Sequence, residues 1–273
     1  MQLLTLRTAH ATATISAYGA QVMSFVPHGQ SDVLWSTTPE FLAAARQNRK
    51  ALRGGIPLCW PWFLGLNDHP DAPSHGLARI SEWQLTAHTE TPDASTATYE
   101  LELDGNHPAW PYRTHGRLTI TLTSSLTVEL TTTNLSEQPF KLTQALHTYL
   151  NVADIANAAL SDLKGLTRRH VSSGTPLPEH EGPFTITEEV EHLVSPVHRL
   201  TLTEPGRRIY VANTGSTEFV IWNPWADKAA KLDMPPHSYK NMLCLEAANI
   251  DKAPTLQPGQ SHILTTTLAP MPY

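Results

Sequence analysis

Two polar residues set in apolar runs are the first candidates for chemistry in this chain. In "KLTQALHTYL", strand-like alternation places Ala145, His147 and Tyr149 on one face. An imidazole there loses hydration and needs either a partner or a task. In "NMLCLEAAN", Glu246 ends a run that is apolar after Asn241. Burial raises a carboxylate pKa unless donors surround it. Together the two residues form a minimal acid–base set, one group taking a proton from a substrate while the other gives one. Taken singly, each has a plainer reading: His147 as a core histidine bonded to a backbone carbonyl, and Glu246 as a strand end reaching solvent.

Two arginines add a second kind of chemistry. Arg53 opens the "RGG" of "LRGGIPLCWPWF", and Arg79 closes "SHGLAR". Both sit near glycines, where backbone can approach a ligand closely, and a guanidinium fork matches phosphate oxygens. Two exposed ion pairs would account for the same residues without any ligand. The aromatics Trp60, Trp62, Phe63, Trp222 and Trp225 serve equally as core or as pocket wall. Sugar rings lay apolar C–H faces against such surfaces, and an indole N–H can bond a hydroxyl. "NDHPDAPSH" offers Asp68, His69, Asp71 and His75 at a spacing that fits no standard zinc pattern, so no metal site is expected. There is no GxGxxG after a strand, no Walker loop, no GxSxG elbow and no HExxH.

The elements that must position these groups read as strands. "TATISAY", "TYELEL", "RLTITLTSSLTVELTTT" with a turn at Ser124–Ser125, "FKLTQALHTYL", "RIYVAN", "EFVIWN", "NMLCLEAAN" and "HILTTTLAP" are rich in β-branched residues, many of them alternating with period two. Many short strands with turn residues between them predict an all-β sandwich. Helical candidates are few: "PEFLAAARQNRKAL", with Thr38 before it and Pro39 at its first position, and a turn or two in "IANAALSDLKG". The 22 prolines among 273 residues are spread throughout, so none marks a linker, and one domain over 1–273 is expected. A net charge of −6 argues against a general nucleic-acid binder but allows a local basic pocket. The two cysteines, Cys59 and Cys244, form no CxxC pair and suggest a reducing compartment. Without a signal-like start or a long apolar run, a cytoplasmic protein with no membrane partner is expected.

In their order, "YGAQVMSF", "RGGIPLCWPWF", "SHGLAR", "LHTYL", "VIWNPW" and "LCLEAAN" resemble the hexose-6-phosphate mutarotases, the glucose-6-phosphate 1-epimerase branch of the aldose 1-epimerases, from about Tyr18 to Asn249. The resemblance implies a galactose-mutarotase-like β-supersandwich. It implies interconversion of the α and β anomers of a 6-phosphorylated aldohexose, without metal or nucleotide cofactor; a monomer is expected. It places the catalytic pair on His147 and Glu246, phosphate binding on Arg53 and Arg79, a hydroxyl or ring contact on His75, and the sugar wall on Trp60 and Trp222. The aspartate that family members usually carry after the catalytic histidine is missing: "DLKGLTRRHVSS" puts Arg168, Arg169 and His170 where it is expected. Two alternatives stand beside this reading. One is a sugar-phosphate-binding sandwich without turnover, which needs neither His147 nor Glu246; the other is an epimerase of unphosphorylated sugar, which needs neither arginine.

Overall fold

A computed structural model describes residues 2–66 and 69–272. Nearly all regular structure is antiparallel strand. A nine-stranded sheet runs, in spatial order, Phe184–Thr185, Ala159–Ser161, Arg199–Glu204, Arg207–Thr214, Ser261–Pro272, Leu126–Asn134, Arg113–Leu122, Ser95–Asp104 and Gln84–Glu90. A seven-stranded sheet runs Pro176–Leu177, Thr167–His170, Val190–Ser195, Glu218–Asn223, Met242–Asn249, Gln144–Asn151 and Leu58–Cys59. A three-stranded sheet near the N-terminus comprises Leu3–Arg7, Ala11–Ser16 and Gln21–Pro27.

The two large sheets share one apolar core. Alternation sends Leu146 and Leu150, Leu243, Leu245 and Ala247, and Phe219 and Ile221 toward Leu118, Ile120, Val128, Leu130, Leu264 and Leu268 of the other sheet. Fully burying each Leu, Ile, Val or Phe side chain of this set contributes about 1.5–3 kcal/mol. On the other face of the seven-stranded sheet, Phe63 and Leu64 pack over Ala145, Leu193 and Val220, and Leu232 and Met234 over Tyr149 and Cys244. For that reason Gln144–Leu150 and Met242–Asn249 are buried on both sides.

The expected strands are present, including the Arg113–Leu122 and Leu126–Asn134 hairpin around Ser124–Ser125. The helix forms over Pro39–Gln47. "IANAALSDLKG" gives one 3-10 turn, Ile155–Asn157, and then joins the nine-stranded sheet as a strand. Its Ala-rich composition favours helix, and pairing with Arg199–Glu204 overrides it. Cys59 and Cys244 are buried and unbonded. No helix of the described residues is long and apolar enough to cross a membrane.

Candidate active site

Register across four adjacent strands assembles the site. One row of partners, all on the outer face of the seven-stranded sheet, reads Leu193, Val220, Glu246, His147; the next reads Glu191, Trp222, Cys244, Tyr149. His147 and Glu246 are therefore direct cross-strand partners, whose side chains stand within contact distance. Nε2 of His147 lies 3.4 Å from Oε1 of Glu246. Glu246 is mid-strand and 1% exposed, so it is not a strand end reaching solvent. His147 Nδ1 and Glu246 Oε2 have no hydrogen-bond partner in the protein. A buried polar atom left so is costly unless a ligand or solvent uses it. The core-histidine reading fails on the same observation.

Arg53 and Arg79 line the same cavity of about 330 Å³, within the range of small-molecule sites. Arg53 Nη1 donates to Tyr149 Oη at 3.3 Å, and its buried Nε has no acceptor. Arg79 Nη2 donates to the Ser74 carbonyl at 2.6 Å. Among the described residues neither guanidinium has an ion-pair partner, which removes the surface-ion-pair reading. Two half-buried cations facing one cavity without an ion-pair partner favour an anionic ligand.

Gly54 and Gly55 shape the turn that delivers Arg53. Both have positive φ, 109° and 63°. A Cβ on Gly55 would lie 2.0 Å from the Val22 carbonyl oxygen, and one on Gly54 2.4 Å from Ser36 Cα. The Gly55 N–H donates to the Trp35 carbonyl, so it serves backbone packing and not the ligand, contrary to expectation.

His75 sits in the left-handed region with φ 63°, its ring edge-on to Phe63 at 4.9 Å and to His147 at 5.9 Å. Its Nδ1 accepts from the Leu64 N–H at 3.2 Å, which puts the ring proton on Nε2. Burial, then Arg79, His147 and Arg53, hold its pKa well below the usual imidazole value. His75 is thus a neutral donor at the cavity wall.

The aromatic expectation splits. Trp222 lines the cavity, edge-on to His147 at 5.8 Å and to Tyr149 at 6.0 Å. Trp60 does not. It is 0% exposed in the core between the sheets, where its Nε1–H donates to Thr132 Oγ1 at 2.8 Å. The assignment of Trp60 to the sugar wall is corrected: its side chain turns inward to Trp83 and Thr132, leaving Phe63 and Tyr149 as walls. Trp62 is also core, bonded through Nε1–H to the Pro73 carbonyl, and Trp225 packs on Tyr239. Of the "NDHPDAPSH" set, Asp68 lies outside the described residues and only His75 reaches the cavity. No group of three or more His, Cys, Asp or Glu among the described residues is arranged to hold a metal.

The segment at Arg168–His170 supplies no hydroxyl-binding group. Arg169 is bidentate to Asp251, Nε–Oδ2 2.8 Å and Nη2–Oδ1 2.5 Å, while Arg168 and His170 face away. The carboxylate that reaches the cavity is Glu191, from the next strand. It accepts from Ser172 Oγ–H and from Lys228 Nζ at 3.2 Å. The signal for it lay in "VEHLVS", where alternation puts Glu191 on the face of Leu193.

Burial and charge set the protonation of the pair. Burial, then Arg79 and Arg53, lower the His147 pKa to about 3. Burial, then Glu191, raise the Glu246 pKa well above the carboxylate range, with Arg79 opposing. Burial thus favours the neutral form of both groups in the unliganded site. The two cations beside His147 and the loss of hydration disfavour the state with both groups ionised. The two states differ only in which partner holds the proton, and they titrate as a unit.

The aldose 1-epimerase family model matches residues 2–269. The chain belongs to the aldose 1-epimerase family. This epimerase is thus an isomerase of the mutarotase type. A Salmonella typhimurium protein named "Putative glucose-6-phosphate 1-epimerase" is 32% identical over 248 residues, 86% of this chain and 78% of that protein. A crystal structure described as "a putative mutarotase", also from Salmonella typhimurium, superposes with a TM-score of 0.86 at 27% identity, over 99% of this chain and 90% of that one. A galactose mutarotase-like protein from Lactobacillus casei ATCC 334 gives a TM-score of 0.78 at 16% identity over 99% and 100% of the two chains, a likeness of fold. The fold of this epimerase is galactose-mutarotase-like.

Proposed function

We propose that this epimerase interconverts the α and β anomers of a 6-phosphorylated aldohexose, glucose 6-phosphate being the substrate of choice. The observation that carries the phosphate is the pair of guanidiniums, Arg53 and Arg79, facing the cavity without a carboxylate partner. The observation that carries the chemistry is the His147–Glu246 pair in the same cavity.

In the ring-opening direction, Glu246 as carboxylate takes the proton of the anomeric hydroxyl, and His147 as imidazolium gives one to the ring oxygen. The C1–O5 bond breaks and an aldehyde forms. Glu246 is then protonated and His147 neutral, the state that burial favours in the empty site. Rotation about C1–C2 presents the other carbonyl face. Glu246 then returns its proton to the aldehyde oxygen while His147 takes that of the 5-hydroxyl, closing the opposite anomer. A bound phosphate dianion neutralises Arg53 and Arg79, two of the causes that depress His147, and so moves the shared proton toward the imidazole before reaction. His75 Nε2–H and Glu191 meet sugar hydroxyls, and Trp222, Phe63 and Tyr149 wall the ring. Each positioned acid or base contributes typically about 10²–10⁴-fold.

Anomer-resolved NMR exchange on a panel of hexoses and hexose 6-phosphates tests this reading. The expected result is α/β exchange of glucose 6-phosphate well above the buffer rate, with free glucose and galactose handled poorly. Tight binding with no exchange above buffer would mean a sugar-phosphate sensor. Equal turnover of free and phosphorylated sugar would remove the phosphate from the substrate class.

A further inference from the structure

A second cavity lies behind the strand that presents Glu191. In Val190–Ser195, Glu191 and Leu193 face the pocket described above, whereas Val190 and His192 face the opposite side. There, with Arg168, His170, His180 and Phe184, they enclose about 440 Å³. The place is a seam between sheets. His170 and His192 are cross-strand partners near one edge of the seven-stranded sheet, and Phe184 belongs to the outermost strand of the nine-stranded sheet.

The buried polar groups of this cavity are a guanidinium and imidazoles, with Glu188 and Glu189 at its exposed rim. Arg168 donates through Nη2 to the Pro178 carbonyl at 2.6 Å, and its guanidinium lies 5.4 Å over the Phe184 ring. It has no ion-pair partner among the described residues, and its buried Nε has no acceptor. His180 Nε2 and His192 Nδ1 are likewise buried without a partner. The His192 ring, on a residue 9% exposed, stands edge-on to His170 at 5.3 Å and tilted to Phe184 at 5.8 Å. Burial, then Arg168 and His170, hold the His192 pKa down to about 4. The rim carboxylates Glu188 and Glu189 are exposed, and Glu189 is paired with Lys228 at 2.7 Å. The Arg168 guanidinium repels a cation, and with the unpartnered ring nitrogens of His180 and His192 beside it the cavity suits an oxyanion, which accepts hydrogen bonds and favours protonated rings.

We propose that this cavity is a second ligand site, which takes a phosphate group between Arg168 and the imidazoles of His170, His180 and His192. The group comes either as inorganic phosphate or on a phosphorylated metabolite. The site stands back to back with the first pocket through a single strand, and it has its own cation and its own walls.

The test uses the full chain with the first phosphate site disabled by Arg53→Gln and Arg79→Gln. Histidine ring signals are followed by NMR during titration with inorganic phosphate, then with glucose 6-phosphate, at ionic strength held constant with chloride. The expected result is saturable movement of the His170, His180 and His192 signals, weakened about 10- to 150-fold by Arg168→Gln, the loss of one charge-assisted hydrogen bond. Should Arg168→Gln fold poorly, Arg168→Lys, which keeps the charge and loses the fork, should weaken binding in the same direction. A response to inorganic phosphate identifies the free anion; a response to glucose 6-phosphate alone identifies a phosphorylated metabolite. Unmoved rings, movement matched by chloride, or binding indifferent to Arg168 would overturn the proposal. Because the readout is independent of turnover, it stands or falls separately from the proposed epimerase substrate.

Discussion

Replacing Arg53 by Gln separates the phosphate-binding role from every other role this residue could have. In the unliganded protein Arg53 makes one hydrogen bond, to Tyr149 Oη at 3.3 Å, and no ion pair among the described residues. Its removal therefore takes away little native stability, about 1 kcal/mol or less, and relieves repulsion with Arg79. Toward a phosphorylated substrate the loss is larger. A hydrogen bond to a charged group contributes about 1.5–3 kcal/mol, and at about 1.4 kcal/mol per decade kcat/KM should fall about 10- to 150-fold. The loss should appear mainly in KM if the phosphate only anchors. It should move into kcat if anchoring also aligns C1 with Glu246. The assay is anomer exchange of glucose 6-phosphate beside free glucose, with thermal unfolding as the control. Free glucose should be turned over as weakly by the variant as by the wild type. A second readout is the His147 ring: Arg53 is one cause of its depressed pKa, so that pKa should rise in the unliganded variant. Equal damage to both sugars, with His147 unmoved, would show that Arg53 is structural and would refute the phosphate assignment.

Three further outcomes follow from the same geometry. His147→Ala and Glu246→Gln should each lower kcat about 10²–10⁴-fold, and the double variant should lose less than the product, because the pair acts as a unit; a folded single variant at wild-type rate would clear that residue of its role. His147 titrates near 3 in the native protein and near ~6.5 unfolded, so the unfolded chain binds the extra proton and stability falls as pH drops from 6.5 toward 3. The His147 share is about 2 kcal/mol at pH 5, and denaturant unfolding of His147→Gln should show that slope flattened. Glu246 is raised instead, so its stabilising contribution is full below about 4.5 and is lost as pH rises through its native value; Glu246→Gln should gain thermal stability relative to wild type between pH 5 and 8, and a constant gap across that range would contradict the buried, raised carboxyl.

The strands were legible because their pattern is local. Alternation in "QALHTYL" put His147 and Tyr149 on one face, and the structure keeps them there, stacked at 4.7 Å. The helix at Pro39 was legible for the same reason. Trp60 was not, because a strand pattern states which residues share a face and not which face meets the core. Two residues on, Trp62 also turns to the core, and Phe63 then turns to the cavity. Glu191 escaped because an aspartate was sought in the segment at Arg168–His170, while the carboxylate comes from the next strand.

The sequence by itself determined the strand-rich fold class and singled out His147, Glu246, Arg53 and Arg79 as the candidate site residues, since these rest on residue type and nearest-neighbour alternation. Only the tertiary structure decided that His147 faces Glu246, because that contact depends on the register of two strands separated by 99 residues in sequence. It decided also that the two arginines have no ion-pair partner among the described residues, that burial favours the neutral forms of His147 and Glu246, and that Glu191 lines the pocket. Charge state and partnership are properties of an enclosed volume, set by burial and by every group around it, and no local stretch of sequence contains that volume.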